Sequence, residues 1–122
     1  MITQSQTYTH PELPGVTVFP MGEEKLQADR PQQILIAVAP GVRIPLHRHN
    51  YDAAMFVVAG KATVLAEDPK VNGTEVGVGA RVFFQKEKDH GFQAGAEGMS
   101  FISTNGGIVD ADPASWNLQF AN

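Results

Sequence analysis

The chain contains no cysteine, and this absence excludes several kinds of chemistry at once. Disulfide bonds, thiolate metal ligands and a cysteine nucleophile are all ruled out. A transition metal bound to this protein must therefore be held by nitrogen and oxygen atoms.

Long apolar segments and basic clusters are missing as well. No segment approaches the ~20 consecutive apolar residues of a membrane-spanning helix. The formal net charge is -4, and the lysines and arginines do not cluster, which argues against nucleic-acid binding. The first residues lack the cationic start and apolar middle of a secretory signal. We therefore expect a cytoplasmic protein without membrane or nucleic-acid partners.

The sequence does contain many short apolar runs separated by turn residues. Its 122 residues, 43% of them hydrophobic, suit a single domain over 1–122 with one core. Short runs rich in β-branched residues predict an all-β sandwich or barrel. Segment 21–30 is predicted as a loop or one short helix, and the step at Gly60 as a tight hairpin. The predicted strands are 33–39, 42–49, 53–59, 62–66, 74–78, 80–85, 90–94, 99–103 and 115–120.

Three histidines carry most of the chemical information. His47 and His49 form an H-x-H pair on a predicted strand, where alternate residues point to the same face. His90 arrives from a distant predicted strand and completes a set of three nitrogen donors, which predicts a metal site. A lone histidine on an apolar strand is more often a packed, hydrogen-bonded residue, so the prediction depends on the combination. His10, in a polar segment before a proline, is predicted to be a surface residue.

Glycines frame these histidines at offsets that resemble the two sequence motifs of the cupin family. The first motif, G-x5-H-x-H-x3,4-E-x6-G, is matched over 41–60 by Gly41, His47, His49 and Gly60. The second, G-x5-P-x-G-x2-H-x3-N, is matched over 79–94 by Gly79 and His90, while its other positions hold Gln85, Glu87 and Ala94. The resemblance implies a double-stranded β-helix (jelly-roll) barrel in which the three histidines bind one divalent transition metal. Iron, zinc, nickel and manganese all stay open as its identity.

The acidic residue of the first motif is missing from this chain. With three or four residues between it and His49, the motif position falls on Ala53 or Ala54, and neither can bind a metal. Strand alternation turns the nearby Asp52 outward, unless a bulge reverses it. Three neutral imidazoles leave a divalent ion with its full double charge. Such a site should favour an anionic or chelating ligand and lower the pKa of bound water.

The same alternation predicts the walls of a substrate pocket. Tyr51 is expected near the rim as the only evident inward proton donor. Ala53 shares its inward face, Met55 and Val57 lie deeper in the barrel, and Phe92 lies on the inward face of a later strand. Arg43 precedes His47 by four residues and would share its face. It is predicted either to bind a substrate carboxylate or to lie exposed at a strand end.

Two further sets of residues support the pocket or the assembly. The second ring nitrogens of the histidines need hydrogen-bond acceptors, and the candidates are Gln85, Ser103, Thr104 and Asn105. Trp116, Leu118 and Phe120 alternate as on a strand and are predicted to pack in a core or in a dimer contact. Since small cupins commonly pair, the resemblance implies a homodimer.

Three functional classes fit these features. The resemblance to three-histidine cupins implies an Fe(II)-dependent dioxygenase acting on a small anionic or chelating organic substrate. The alternatives are a non-redox Zn or Ni lyase, isomerase, cyclase or hydrolase, and a non-catalytic module that binds a small molecule or metal. The absence of a dedicated general base on the motif faces favours chemistry centred on the metal. The fold alone does not decide among the three.

Overall fold

The computed structural model describes residue 4 and residues 6–21, 32–107 and 109–121. The all-β prediction is confirmed, and none of the described helices is long and apolar enough to cross a membrane. The segment 22–30, where we predicted a loop or short helix, lies outside the described residues. The described elements are β1 (Val16–Pro20), β2 (Gln32–Val38), β3 (Arg43–Arg48), β4 (Ala53–Ala66), β5 (Glu75–Val76), β6 (Arg81–Phe84), β7 (His90–Asn105), a 3₁₀ helix (Pro113–Trp116) and β8 (Gln119–Phe120).

The long strands β4 and β7 organise the sheet. They pair antiparallel from Ala53 opposite Asn105 to Ala66 opposite His90. On its other edge, β7 pairs with β3 through its first residues and with β2 through its last residues. Strand β1 pairs with β2, and β8 pairs with β3. This arrangement brings the start of β7 beside β3, which places His90 directly opposite His47.

Strands β4 and β7 are each longer than predicted, and the predicted hairpin at Gly60 is wrong. The predicted strands 53–59 and 62–66 are one strand, and 90–94 and 99–103 are another. Gly60 has a φ of 73° and lies at a register shift in the β4–β7 pairing. A Cβ atom at Gly60 would collide with the carbonyl oxygen of Gly98. This glycine therefore permits a close passage between two strands, where the sequence suggested a chain reversal.

The C-terminal segment also departs from its predicted strand over 115–120. Asp112 caps the 3₁₀ helix, because its side chain accepts a hydrogen bond from the Ala114 nitrogen, and Pro113 follows it. Asn117 ends the helix in the left-handed conformation, with a φ of 52°. Only Gln119–Phe120 remains extended, and it pairs with β3. The chain therefore turns over the end of the barrel before it joins the sheet.

The core lies inside the curled sheet and follows the predicted alternation. On β4, Ala53, Met55 and Val57 are buried while the residues between them are exposed. Trp116 is only 5% exposed and packs in this same core, so it does not contribute an outer contact surface. The large apolar side chains that are exposed among the described residues lie elsewhere, at Met21, Phe56, Val58, Val78 and Phe83.

Candidate metal centre

The three predicted histidines meet inside the barrel. His47 lies on β3, His49 follows the end of that strand, and His90 opens β7. Their ligand atoms all lie within 4.8 Å of one another. The ring of His47 is 4.9 Å from that of His49 and 4.5 Å from that of His90, between centroids. The sequence prediction that these residues converge is confirmed.

Backbone carbonyl groups orient all three rings. The Nδ1 atom of each histidine lies at hydrogen-bond distance from a carbonyl oxygen: 2.8 Å to Pro45 for His47, 2.9 Å to Trp116 for His49, and 3.1 Å to Lys88 for His90. A carbonyl oxygen can only accept, so each Nδ1 carries the proton and donates it. Each Nε2 therefore keeps its lone pair, which is the form of imidazole that binds a metal.

These acceptors differ from the side chains that we predicted. Gln85, Ser103, Thr104 and Asn105 accept nothing from the three rings. Two of the carbonyl groups belong to residues only two positions before their histidine. The third, that of Trp116, comes from the C-terminal segment. A backbone acceptor carries no side-chain signal, so the residue types in the sequence could not identify it.

The environment of the cluster keeps the imidazoles neutral. Burial, followed by repulsion from a charged His90, lowers the pKa of His47 to about 3. Burial likewise lowers the pKa of His90 to about 4 and brings the pKa of His49 below its usual value. All three are therefore neutral near pH 7, and a metal would not have to displace a proton from them.

A close approach of β3 and β7 builds the cluster. A Cβ atom at Gly91 would collide with the carbonyl oxygen of Ile44, so glycine is needed beside His90. The β3–β7 register also shifts between Ile44 and His47. Because of this irregularity, Ile44 and His47 both face inward although they are three residues apart, and Arg43 is exposed.

The prediction that Arg43 and His47 share one face of β3 is therefore wrong. The alternation rule assumes a regular strand, and an extra residue in β3 inverts it. Arg43 is not among the residues that line the cavity beside the histidines.

An ion pair that the sequence analysis missed joins the two motifs. Arg48 contacts Asp89 through both of its guanidinium edge nitrogens, with Nε–Oδ1 at 2.8 Å and Nη2–Oδ2 at 3.0 Å. Each residue directly adjoins a cluster histidine in the sequence. The opposite charges of Arg48 and Asp89, and their positions next to the cluster histidines, could have indicated this ion pair from the sequence. The pair lies on the outer side of the cluster and helps to fix the spacing between the two strands.

Strand β4 shows which residue replaces the acidic ligand of the motif. Ala53 is buried and lines the cavity, whereas Ala54 is exposed. Asp52 is exposed, and its Oδ1 accepts a hydrogen bond of 2.8 Å from the Lys86 nitrogen. Its predicted outward orientation is confirmed. No carboxylate joins the three histidines within the part of the chain that is described.

Aromatic rings cover the histidines on two sides. The Tyr51 ring stacks on His49, with centroids 4.8 Å apart and planes at 18°. The Phe84 ring stacks on His90 at 4.1 Å and 9°. The Tyr51 hydroxyl donates a hydrogen bond of 3.1 Å to the Trp116 carbonyl, and burial raises its pKa to about 12. Its proton is therefore engaged and held tightly.

The histidines open onto a cavity of about 80 Å³ inside the barrel. Ala53, Met55 and Phe92, all predicted to line a pocket, lie in its wall. None of the described lining residues is aspartate, glutamate, lysine or arginine. The polar lining residues are His47, His49, His90, Tyr51, Ser103 and Asn105.

The donor set fits a divalent transition metal. Three neutral imidazoles on one side of a cavity suit Zn, Fe, Ni or Cu better than Mg or Ca. His47, His49 and His90 would hold the ion, and the side towards the cavity would stay open to a ligand.

Comparison with known proteins identifies the fold. No protein-family model matches the chain, and no curated protein matches its sequence. Solved structures do match. The polyketide cyclase RemF from Streptomyces resistomycificus has a TM-score of 0.71 at 20% identity, over 93% of this chain and 90% of that one. An RmlC-like cupin from Shewanella frigidimarina has a TM-score of 0.67 at 17% identity, over 84% of both chains.

Larger proteins contain the same barrel. A variant of oxalate decarboxylase from Bacillus subtilis has a TM-score of 0.71 at 19% identity over 96% of this chain, which spans 30% of that protein. At such identities the likeness establishes the fold and leaves the activity open. The chain has the cupin fold, with its three-histidine cluster inside the barrel.

Proposed function

We propose that this protein is a metal-dependent enzyme that acts on a small chelating anion, and specifically an Fe(II)-dependent dioxygenase. The observation that carries the proposal is the composition of the cavity. Three neutral histidines converge there, and none of the described lining residues bears a charge at neutral pH. A divalent ion held by this set would keep its full double charge, so an anionic ligand would be the natural complement.

The chain's own residues would bind and enclose the substrate. The apolar walls supply contact surface and exclude water, and the small side chain of Ala53 leaves room beside the cluster. When bound, iron would supply the redox chemistry towards O2. The substrate would be an enolisable 1,3-dicarbonyl compound, whose enolate carries one negative charge and two oxygens suitably spaced for chelation.

The absence of a proton-transfer group favours this reaction over proton-shuttle chemistry. A general acid or base needs a pKa near the working pH. Tyr51 donates its proton to the Trp116 carbonyl and has its pKa raised to about 12. None of the described lining residues is an aspartate, a glutamate or a lysine. The three histidines are the only imidazoles among them, and they are needed as ligands.

The size of the cavity sets the size of the substrate. Pockets for drug-sized ligands have volumes of roughly 300–1,000 Å³, whereas this one has about 80 Å³. A diketone of a few carbon atoms suits this space, and a polycyclic compound does not.

A non-redox cyclase or isomerase is the second candidate. It is favoured by the likeness to the polyketide cyclase RemF, which covers nine tenths of both chains. Zinc or nickel would polarise a carbonyl in that case. The small cavity and the lack of a free base among the described lining residues count against the second candidate.

The test combines metal analysis with oxygen uptake. Protein purified without added metal is analysed for iron, zinc, nickel and manganese. Manganese is included because a related oxalate decarboxylase from Bacillus subtilis is described with Mn(II) centres. The iron-loaded protein is then given acetylacetone in an oxygen electrode. Cleavage would consume one O2 per molecule and yield acetic acid and methylglyoxal, with both oxygen atoms entering the products.

We expect iron and uptake in the wild type, loss of both in His90→Ala, and retention of both in Gln33→Leu. Gln33 is exposed on β2, outside the cluster and the cavity wall, and serves as the control. Zinc or nickel without uptake would reject the dioxygenase and select the second candidate. Metal-loaded protein that binds diketones and turns over neither substrate class would indicate a binding module.

A further inference from the structure

Ser103 and Asn105 form a second polar feature in the cavity. They lie two residues apart on β7, so their side chains share its inward face. Ser103 is 5% exposed and Asn105 is 4% exposed, and both line the cavity. Buried polar side chains are costly unless they form hydrogen bonds. Their presence in a largely apolar wall therefore calls for an explanation.

One hydrogen bond orients the Asn105 amide. The Ser103 hydroxyl donates to Asn105 Oδ1 at 2.6 Å. This contact occupies the oxygen end of the amide and leaves the Nδ2 end, with its two N–H groups, to point elsewhere. Ser103 thus selects which end of the amide is presented.

The Nδ2 atom of Asn105 has no hydrogen-bond partner among the described residues. In the described part of the chain, every side-chain nitrogen or oxygen atom that is fully buried has a hydrogen-bond partner. The Nδ2 atom is therefore reachable by a water-sized molecule. Because the side chain faces inward and is almost wholly buried, the space that it reaches is the cavity.

The neighbours of Asn105 place this donor on the side of the cavity towards the histidines. Asn105 stands directly opposite Ala53 in the β4–β7 pairing, and Ala53 stands opposite Phe84 on the other edge of β4. The Phe84 ring in turn stacks on His90. Residues directly opposite across a sheet have Cβ atoms about 5 Å apart. Ala53 lines the same cavity as the amide and the histidines, and its methyl group fills little of the space there.

We propose that Asn105 Nδ2 and the space over Ala53 form an oxygen-binding subsite, in which the amide donates a hydrogen bond to an anionic oxygen of the ligand held at the histidine cluster. This inference rests on the proposed function, because it names the residue that recognises its small enolate or carboxylate ligand. Asn105 is a substrate-binding residue in this assignment. Ser103 is a positioning residue, which acts by fixing the amide.

The chemistry favours an anionic oxygen over other occupants. An N–H donor needs an acceptor, so an apolar ligand would leave Nδ2 unsatisfied. A hydrogen bond to a charged oxygen is about twice as strong as one to a neutral oxygen. A neutral amide can strengthen the binding of an anion without placing a second positive charge beside the metal ion. A lysine or an arginine at this position would do so less selectively and would have to be buried.

The experiment measures ligand binding without turnover. Protein loaded with zinc is titrated with acetylacetone by calorimetry, for the wild type and three variants. Asn105→Leu removes the donor at similar volume, and Ser103→Ala removes the group that orients it. Gln33→Leu is the matched control, because this exposed amide on the outer face of β2 donates to Thr104 Oγ1.

We expect Asn105→Leu to weaken acetylacetone binding by about tenfold or more, the size of one hydrogen bond to a charged oxygen. Ser103→Ala should weaken it several-fold, and Gln33→Leu should leave it unchanged, with zinc content equal in all four proteins. In nitrogen-15 NMR spectra, the Asn105 side-chain signals, identified by their loss in Asn105→Leu, should shift on adding acetylacetone to the wild type.

Several outcomes would overturn the assignment. Equal affinity in the wild type and Asn105→Leu would do so, as would Asn105 signals that do not move when ligand binds. If Asn105→Leu fails to fold, the acetylacetone affinity of Ser103→Ala decides, and an affinity equal to that of the wild type would overturn the assignment. No binding of acetylacetone to the zinc-loaded wild type would reject the ligand class itself. Failure of oxygen uptake with the iron-loaded protein, while these binding results hold, would reject the dioxygenase and leave the subsite standing.

Discussion

Acid should destabilise the metal-free protein through its buried histidines. In the unfolded chain, His47 and His90 would titrate near 6.5, whereas burial lowers their folded pKa values to about 3 and about 4. Between these limits the unfolded state binds more protons than the folded state. Protons therefore favour unfolding, and stability is lost as the pH falls below about 6.5.

The size of the loss at pH 5 follows from the unfolded state. Both histidines are still neutral in the folded protein at that pH, so the loss does not depend on how far below pH 5 their folded pKa values lie. Each pH unit below 6.5 costs about 1.4 kcal/mol per histidine. From pH 8 to pH 5, His47 and His90 should each remove about 2 kcal/mol from the free energy of unfolding.

Urea unfolding of chelator-treated protein at pH 8 and pH 5 measures this difference, with the single tryptophan, Trp116, as the fluorescent probe. An m-value of about 1–3 kcal/mol/M converts each histidine's share into a midpoint shift of roughly 0.7–2 M. His47→Gln should remove about 2 kcal/mol of the pH effect, while His90 and His49, whose pKa values are also lowered by burial, supply the rest. Asp89 does not interfere, because its pKa is lowered from 3.8 and it titrates below this range. Equal stability at the two pH values would refute the reasoning.

Three further predictions concern the ligands, the cavity and the backbone. Loss of His47 or His90 by alanine substitution should weaken zinc binding by well over the ~10–100-fold typical of changes around ligands, and unchanged calorimetric affinity would show that the site is misassigned. Ala53→Glu should hold or raise metal affinity and lower acetylacetone affinity by about tenfold or more, because like charges repel in a closed cavity. Unchanged binding would mean that position 53 does not face the ligand. Glu87→Gly should raise the free energy of unfolding by about 1 kcal/mol, because Glu87 has a φ of 63°. A decrease in urea unfolding experiments would contradict this.

The histidine cluster could be predicted from the sequence because it depends on short-range geometry. His47 and His49 converge through strand alternation, and the position of His90 follows from the second motif. The same rule correctly placed Ala53 and Met55 inside the barrel. Within β4, alternation places Ala53 and Met55 correctly because the strand is regular over these residues.

The errors arose where the backbone is irregular. The register shift in β3 turned Arg43 outward, and no residue type in 43–47 marks an extra residue. Gly60 was interpreted as a turn because glycine suits both a hairpin and a close strand passage. The difference depends on Gly98, which lies beside Gly60 on the neighbouring strand β7 and is 38 positions away in the sequence. By contrast, Asp112 and Pro113 are an ordinary N-cap and first-turn pair, so the 3₁₀ helix could have been predicted.

The C-terminal segment, which lies outside both sequence motifs, also helps to hold the site in place. The Trp116 carbonyl accepts from both His49 Nδ1 and the Tyr51 hydroxyl, and the Asn117 side chain accepts from the Asn50 nitrogen. The 3₁₀ helix therefore fixes the ring of the one histidine that lies beyond the end of its strand. A histidine on a regular strand is oriented by the sheet, but His49 needs an external acceptor to hold its Nε2 towards the other two. The tautomer of His49 thus depends on a segment outside both motifs.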